Sequence, residues 1–208
     1  MPAKMFLRFI ICLMAFSMIV SGCSLGELDD TTTGCASDNE SYELFTFNDG
    51  DYHFSFRHDK SFEYSGEDQF RPLAIRFKRP YYEEESDIPL SARQGTNLIV
   101  TIYTLDISQY RDAQERLNQV RSALERREEF AVEDVSNITV AGIKTKQWTF
   151  SFQQPDYVPG TVSTSKHLVF DHGGLIWEIS SLAIKQEDFS ELDSENWKCV
   201  LNTFKILD

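Results

Sequence analysis

Hydrophobic and polar residues alternate over several short stretches of the chain, which is the pattern of a β-strand with one buried face. Tyr52, Phe54 and Phe56, for example, are separated by single polar residues. The pattern predicts strands at residues 52–57, around Phe62 and Tyr64, at residues 73–78 and at residues 98–105. The last of these is apolar on much of both faces, so we expect it inside a sheet.

The period changes to that of a helix between Ser108 and about Glu129, with Ser108 as the expected N-cap. Apolar residues recur there every three or four positions, at Tyr110, Ala113, Leu117, Val120 and Leu124. A second helix is predicted near the C-terminus, where Asp193 or Ser194 precedes a stripe formed by Trp197, Val200, Leu201 and Phe204.

Two hairpins are predicted in the second half of the chain. Ala141-Gly142 turns a strand at residues 138–140 into one at residues 143–152, and Gly173-Gly174 forms a two-residue turn. The second turn predicts these facing pairs: Phe170 with Trp177, Leu168 with Ile179, Val169 with Glu178, and His167 with Ser180. Hairpins combined with two helices predict an α+β fold, a mainly antiparallel sheet with helices packed on both faces (an α/β/α sandwich).

The order of these elements resembles Mog1/PsbP-like domains. The resemblance covers most of residues 50–208, and it rests on Phe54 and Phe56, the long helix, the Val-x-Gly hairpin at residues 140–142, the Gly-Gly hairpin and the closing Val-Leu-Asn-Thr-Phe-Lys-Ile at residues 200–206. It implies a sandwich that binds protein partners, in photosystem assembly or with a small GTPase. The family has no catalytic motif to carry over, and many bacterial lipoproteins contain such domains.

The N-terminal segment has the three parts of a secretory signal. Lys4 and Arg8 give a basic start, and residues 9–20 form an apolar run too short to span a bilayer comfortably. Val20-Ser21-Gly22-Cys23 resembles the lipobox of bacterial lipoproteins, which implies cleavage before Cys23 and lipid attachment to it. The alternative is an ordinary cleavable signal or a signal anchor with Cys23 nearby by chance.

These features divide the chain into three parts. We expect residues 1–22 to be a lipoprotein signal peptide, residues 23–43 a polar and flexible tether, and residues 44–208 a single globular α+β domain. The domain would then lie on the extracytoplasmic side of the bacterial cell envelope. Ser24 favours the outer membrane if the host has one, by resemblance to lipoproteins of such bacteria.

The cysteine count supports one disulfide in that compartment. Cys12 would leave with the signal and Cys23 would take the lipid, which leaves Cys35 and Cys199 as a pair. We therefore expect a Cys35–Cys199 bridge between the tether and the C-terminal helix. The alternative is a free thiol in the tether and a buried cysteine on the helix.

The composition excludes several classes of function. With 33 Asp+Glu against 20 Lys+Arg and a net charge of −13, the chain is no nucleic-acid binder that relies on bulk positive charge. It contains 41% hydrophobic residues, which excludes a disordered or fibrous protein. Neither a phosphate-binding glycine motif nor a histidine pair with helical metal-site spacing occurs, so we expect no cofactor and no metal.

Two clusters remain as candidate sites. His167 and Glu178 are expected to lie diagonally on one face of the last hairpin, where they form either an acid-base pair or a hydrogen-bonded sheet surface. The other cluster is a predicted loop, proposed to bind a protein partner, that contains Tyr81, Tyr82, Glu83, Glu84 and Glu85. Calcium binding by this acidic run is the alternative, but the spacing of an ordered calcium loop is absent.

The sequence thus predicts a lipid-anchored, non-enzymatic binding or accessory protein of the bacterial cell envelope. Its expected partners are the membrane, through the lipid on Cys23, and another envelope protein. Two alternatives stay open: a carrier or sensor of an apolar ligand, and an envelope hydrolase that uses the region of His167 and Glu178.

Overall fold

In the computed structural model, the segments predicted from alternating hydrophobic and polar residues form strands. The structure describes residues 35, 39–68, 72–79, 96–104, 109–153, 162–183 and 191–207. The elements follow in this order: β1 (Tyr42–Asp49), β2 (Tyr52–Asp59), β3 (Glu63–Asp68), β4 (Leu73–Lys78), β5 (Asn97–Thr104), α1 (Ala113–Leu124), β6 (Ala131–Val140), β7 (Ile143–Gln153), β8 (Val162–His172), β9 (Leu175–Ala183), α2 (Glu191–Thr203) and β10 (Lys205–Ile206).

The strands form two sheets in which every pair is antiparallel. One sheet has seven strands in the order β3-β4-β5-β9-β8-β7-β6, and the other has three strands in the order β1-β2-β10. The sequence prediction that β5 is an interior strand is confirmed, because it pairs with β4 on one side and β9 on the other.

The Gly173-Gly174 hairpin has the predicted register. Phe170 faces Trp177, Leu168 faces Ile179, Val169 faces Glu178 and His167 faces Ser180. Both turn glycines have positive φ angles, 60° and 73°, as a type I′ turn requires. Since side chains alternate along a strand, this register decides which residues of β8 and β9 enter each face of the sheet.

The two faces of the large sheet bury different clusters. The main core combines aromatic residues of β2 with residues of α2 and with one face of the large sheet, including Phe54, Trp197 and Trp177. The smaller cluster contains Ala113 and Leu117 of α1 and side chains on the other face of the large sheet, including Tyr103, Val169 and Ile176. A mostly antiparallel sheet with two helices is therefore confirmed. The three-stranded sheet in the main core was not predicted from the sequence.

Several element boundaries differ from the prediction. β1 begins at Tyr42, which is buried, two residues before the expected domain boundary at Leu44. β6 is longer than residues 138–140 because most of its earlier side chains are exposed and give no apolar periodicity. α2 begins at Glu191, so Asp193 and Ser194 lie inside its first turns and not at its cap.

Helix α1 is shorter than predicted at both ends. Its N-cap is Asp112, whose side chain accepts a hydrogen bond from the backbone N–H of Glu115. Asp171 of β8 accepts a second bond, from the N–H of Ala113, so a neighbouring strand also satisfies this helix end. Ser108, the predicted cap, lies outside the described residues.

A disulfide joins Cys35 to Cys199 of α2, with 5.4 Å between the Cα atoms. The Cys199 side chain is fully buried, and the neighbouring α2 residues Trp197 and Val200 belong to the main core. Cys35 is therefore attached to α2 next to the main core.

Reduction of this bridge is expected to lower the free energy of unfolding by up to about 5 kcal/mol, since it closes a loop of 164 residues in the unfolded chain. Thermal unfolding with and without reductant measures the effect. A Cys35→Ser variant should already have the lower melting temperature and should not respond to reductant. Alkylation of both thiols in the folded, unreduced protein would show that the bridge is not formed.

Candidate functional site

A buried carboxylate lies at the centre of the sheet face covered by α1. Glu178 of β9 is only 3% exposed, yet three other elements supply it with donors. The Tyr103 hydroxyl on β5 and the Arg116 Nε on α1 donate to its Oε2 at 3.0 and 2.8 Å. His167 Nδ1 on β8 lies 3.0 Å from its Oε1. These contacts satisfy the charge that burial would otherwise penalise.

Arg116 is held in place by aromatic rings as well as by Glu178. Its guanidinium carbon lies 5.0 Å from the ring centre of Tyr103 and 5.3 Å from that of Tyr110. Its NH1 also donates to Gln119 Oε1 at 2.7 Å. The arginine therefore fixes α1 to the sheet through a charge pair and through stacking.

The hydrogen-bond chain continues to a serine. Since an ionised Glu178 only accepts, His167 Nδ1 carries the proton in that bond. Nε2 of the same ring lies 2.6 Å from Ser165 Oγ, two residues earlier on β8. Ser165, His167 and Glu178 thus have the connectivity of a serine hydrolase triad.

Burial shifts the protonation equilibria of this cluster. Burial by itself raises the pKa of Glu178, but the hydrogen bond and charge of His167, together with Arg116, outweigh it and lower the pKa to about 2. Burial and the Glu178 charge raise the pKa of Tyr103. Glu178 is therefore ionised and Tyr103 neutral at physiological pH.

The position of Ser165 argues against nucleophilic chemistry. The residue is 4% exposed and lies within β8, which pairs with β7 and β9 on its two sides. The backbone N–H groups of an interior strand are engaged in the sheet, so they offer no oxyanion site. Glu178 is also shared with Arg116 and Tyr103. The arrangement suits a structural network that fastens α1.

An open cleft lies beside this network, between α1 and the start of β7. It has a volume of about 430 Å³ and is lined by Ala113, Gln114, Leu117, Ile143, Lys144, Thr145, Lys146, Trp148, Val169, Phe170 and Asp171. Trp148 pairs with His167 in the β7–β8 register, so it lies on the α1 face of the sheet. Its indole N–H is buried and has no hydrogen-bond acceptor among the described residues.

The structure brings together some of the predicted site residues. His167 and Glu178 are in contact, as the diagonal placement predicted, and Cys35 is bonded to Cys199. Cys23 lies outside the described residues. So do all residues of the predicted partner-binding loop, namely Tyr81, Tyr82, Glu83, Glu84 and Glu85.

Sequence reasoning missed three members of the network. Ser165 was recoverable, because extending the hairpin by two residues places it on the same face as His167. Tyr103 and Arg116 gave no such signal, since their contact with Glu178 depends on how α1 crosses the sheet. Among the described residues, no group of three or more His, Cys, Asp or Glu side chains is placed to hold a metal.

Across the described ranges, no helix has both the length and the apolar character needed to cross a membrane. No family model and no curated protein matches the chain. Similarity is found only among solved structures.

Three of these structures illustrate the likeness. LpqN of Mycobacterium tuberculosis, involved in cell envelope biogenesis, has 15% identity and a TM-score of 0.50, over 80% of this chain and 92% of its own. The Ran-binding protein Mog1p of Saccharomyces cerevisiae has 10% identity and a TM-score of 0.49, over 80% of this chain and 96% of its own. Cyanobacterial PsbP (CyanoP) of Synechocystis has 14% identity and a TM-score of 0.47, over 83% of this chain and 97% of its own. At 15% identity, the likeness to LpqN shows that the two chains share a fold, the Mog1/PsbP-like fold.

Neutralising Glu178 should destabilise the protein far more than neutralising an exposed acid. Glu178→Gln leaves Arg116, only 18% exposed, without its counter-charge, and we expect a loss of about 3–5 kcal/mol. Arg116→Met should cost a similar amount, and the double variant less than the sum. Urea unfolding measures all three.

The matched control is the surface ion pair between Arg121, in the last turn of α1, and Glu125, four residues later at the C-cap of the helix. Glu125→Gln should cost less than about 1 kcal/mol. Equal losses for Glu178→Gln and Glu125→Gln would contradict a stabilising role of the network.

The lowered pKa of Glu178 also predicts an acid dependence of stability. The unfolded carboxyl titrates near 4.5 and the folded one near 2, so its contribution is complete above about pH 4.5 and disappears as the pH falls toward 2. The contribution is about 3 kcal/mol. The unfolding free energy of Glu178→Gln should fall less steeply over this range than that of the native chain, and parallel curves would refute the assignment.

Proposed function

We propose that this chain is a lipid-anchored, non-enzymatic binding or accessory protein of the bacterial cell envelope. The Val20-Ser21-Gly22-Cys23 motif supports an anchor on Cys23. The shared fold with LpqN, a protein involved in cell envelope biogenesis, supports the envelope setting. The domain would stand in the extracytoplasmic space, at the outer membrane if the host has one.

The observation that carries a binding role is the open cleft beside α1. It exposes charged and apolar side chains to a ligand, whereas the adjacent network of Ser165, His167 and Glu178 is closed and satisfied internally. An open surface next to a closed polar core is suited to docking and not to chemistry.

The disulfide lies away from this cleft. It bonds Cys35 to Cys199 of α2, whose neighbours Trp197 and Val200 belong to the main core, while Ala113 and Leu117 of the cleft belong to the smaller cluster beside α1. Neither cysteine lines the cleft.

The two alternatives have weaker support. A carrier of an apolar ligand needs an enclosed apolar cavity, and this cleft is open and contains Lys144, Lys146 and Asp171. A hydrolase has the Ser165–His167–Glu178 chain in its favour, but the serine is buried. Covalent labelling of Ser165 in the folded protein by a fluorophosphonate would favour the hydrolase over the binding protein.

The anchor predicts a specific mass. Intact-mass analysis of protein from host membranes should return residues 23–208 plus two or three acyl chains, because one chain binds membranes only marginally. Cys23→Ser should remove the lipid, and Cys12→Ser, a cysteine in the same signal region, should change nothing. A full-length, unmodified mass would refute the anchor.

A further inference from the structure

The floor of the cleft contains two lysines and a tryptophan in alternate positions of β7. Lys144, Lys146 and Trp148 share one face of the strand, and we refer to them as the basic strip. Both lysines are exposed. Within the described part of the chain, neither ammonium group pairs with a carboxylate.

This charge is unusual in its surroundings. The protein as a whole carries a net charge of −13. Three arginines in or just before α1 each have a carboxylate partner already, in the pairs Arg111–Glu115, Arg116–Glu178 and Arg121–Glu125. The lysines therefore make a local positive field on a protein whose body is acidic.

One acidic residue does line the cleft. Asp171 is exposed, but its Oδ1 accepts the N–H of Ala113 and so serves the end of α1. It reduces the positive field of the basic strip without removing it, because two ammonium groups face one carboxylate.

Apolar surface lies directly beside the positive charge. Val135 of β6 pairs with Trp148 in the strand register and is 42% exposed on the same face. Leu117 of α1 lines the other wall of the cleft. A ligand lying along β7 would meet two cations and then an apolar surface.

We infer that the cleft binds an extended acidic segment of a partner protein. Alternate residues of an extended chain are about 7 Å apart, so carboxylates at positions i and i+2 match Lys144 and Lys146. An apolar side chain further along then packs against Trp148 and Val135. This inference rests on the proposed binding role and names the chemistry of its partner.

Screening distinguishes a peptide from the larger polyanions. The field of the lysines is felt within a Debye length, about 8 Å at physiological salt. A short segment in the cleft meets mainly the basic strip. An anionic membrane or a nucleic acid extends beyond it and meets the acidic body, with its net charge of −13.

The three tryptophans provide a direct test. The indole N–H of Trp177 donates to the His172 carbonyl and that of Trp197 to Gln147 Oε1, whereas that of Trp148 has no acceptor among the described residues. The probe is the peptide acetyl-Thr-Glu-Thr-Glu-Thr-Phe-Thr-amide. It is titrated at physiological salt into the mature chain, labelled with ¹⁵N-tryptophan and held in non-ionic detergent. We expect only the Trp148 indole signal to shift.

Charge variants separate the local effect from the global one. Lys144→Glu with Lys146→Glu should weaken binding at least tenfold, and so should replacing both peptide glutamates by glutamine. Lys60→Glu with Lys205→Glu makes the same change in net charge at two exposed lysines outside the cleft lining and should change affinity less than twofold.

Three results would overturn the inference. One is equal binding of the glutamate and glutamine peptides, and another is an equal loss in both double variants. The third is binding of phosphatidylglycerol vesicles or inorganic phosphate through Lys144 and Lys146 without peptide binding, which would assign the cleft to lipid headgroups or small anions. Failure of the anchor is read separately, from the intact mass at Cys23.

Discussion

The buried carboxylate of Glu178 is the constraint on which the α1 side of the protein depends. A charge that is 3% exposed must be matched by donors, and here they come from β5, β8 and α1. Arg116 satisfies this need only if α1 crosses the sheet at one position. That position covers β8 and its neighbours and leaves the start of β7 open. The closed network and the open cleft therefore have the same cause.

The hairpin register gives each face of the sheet its chemistry. With Gly173-Gly174 as the turn, Leu168, Phe170, Trp177 and Ile179 enter the main core, while His167 and Glu178 face α1. A slip of one residue would exchange the two sets and place a carboxylate against the aromatic side chains of β2. The two turn glycines therefore protect the polar network as well as the apolar core.

Sequence alone could predict the features that depend on local pattern. Alternating hydrophobic and polar residues, helical periodicity and turn chemistry predict four features: the Gly-Gly register, the interior position of β5, the two helices and the proximity of His167 and Glu178. It could not predict the three-stranded sheet, whose pairing of β10 with β2 joins segments far apart in the chain. Arg116 and Tyr103 were missed for the same reason: periodicity identifies a buried face but not the residue that meets it.

A hydrogen-bonded chain of serine, histidine and carboxylate has a different role when the serine is buried than when it is accessible to substrate. A serine, histidine and carboxylate act as a nucleophilic site when the hydroxyl meets substrate and donors surround the developing oxyanion. Here Ser165 is 4% exposed in a paired strand, and Glu178 is also neutralised by Arg116. The hydrogen bonds therefore orient His167 and hold three strands and a helix together. Among the described residues beside this network, open side chains line the cleft between α1 and β7, where another molecule can reach them.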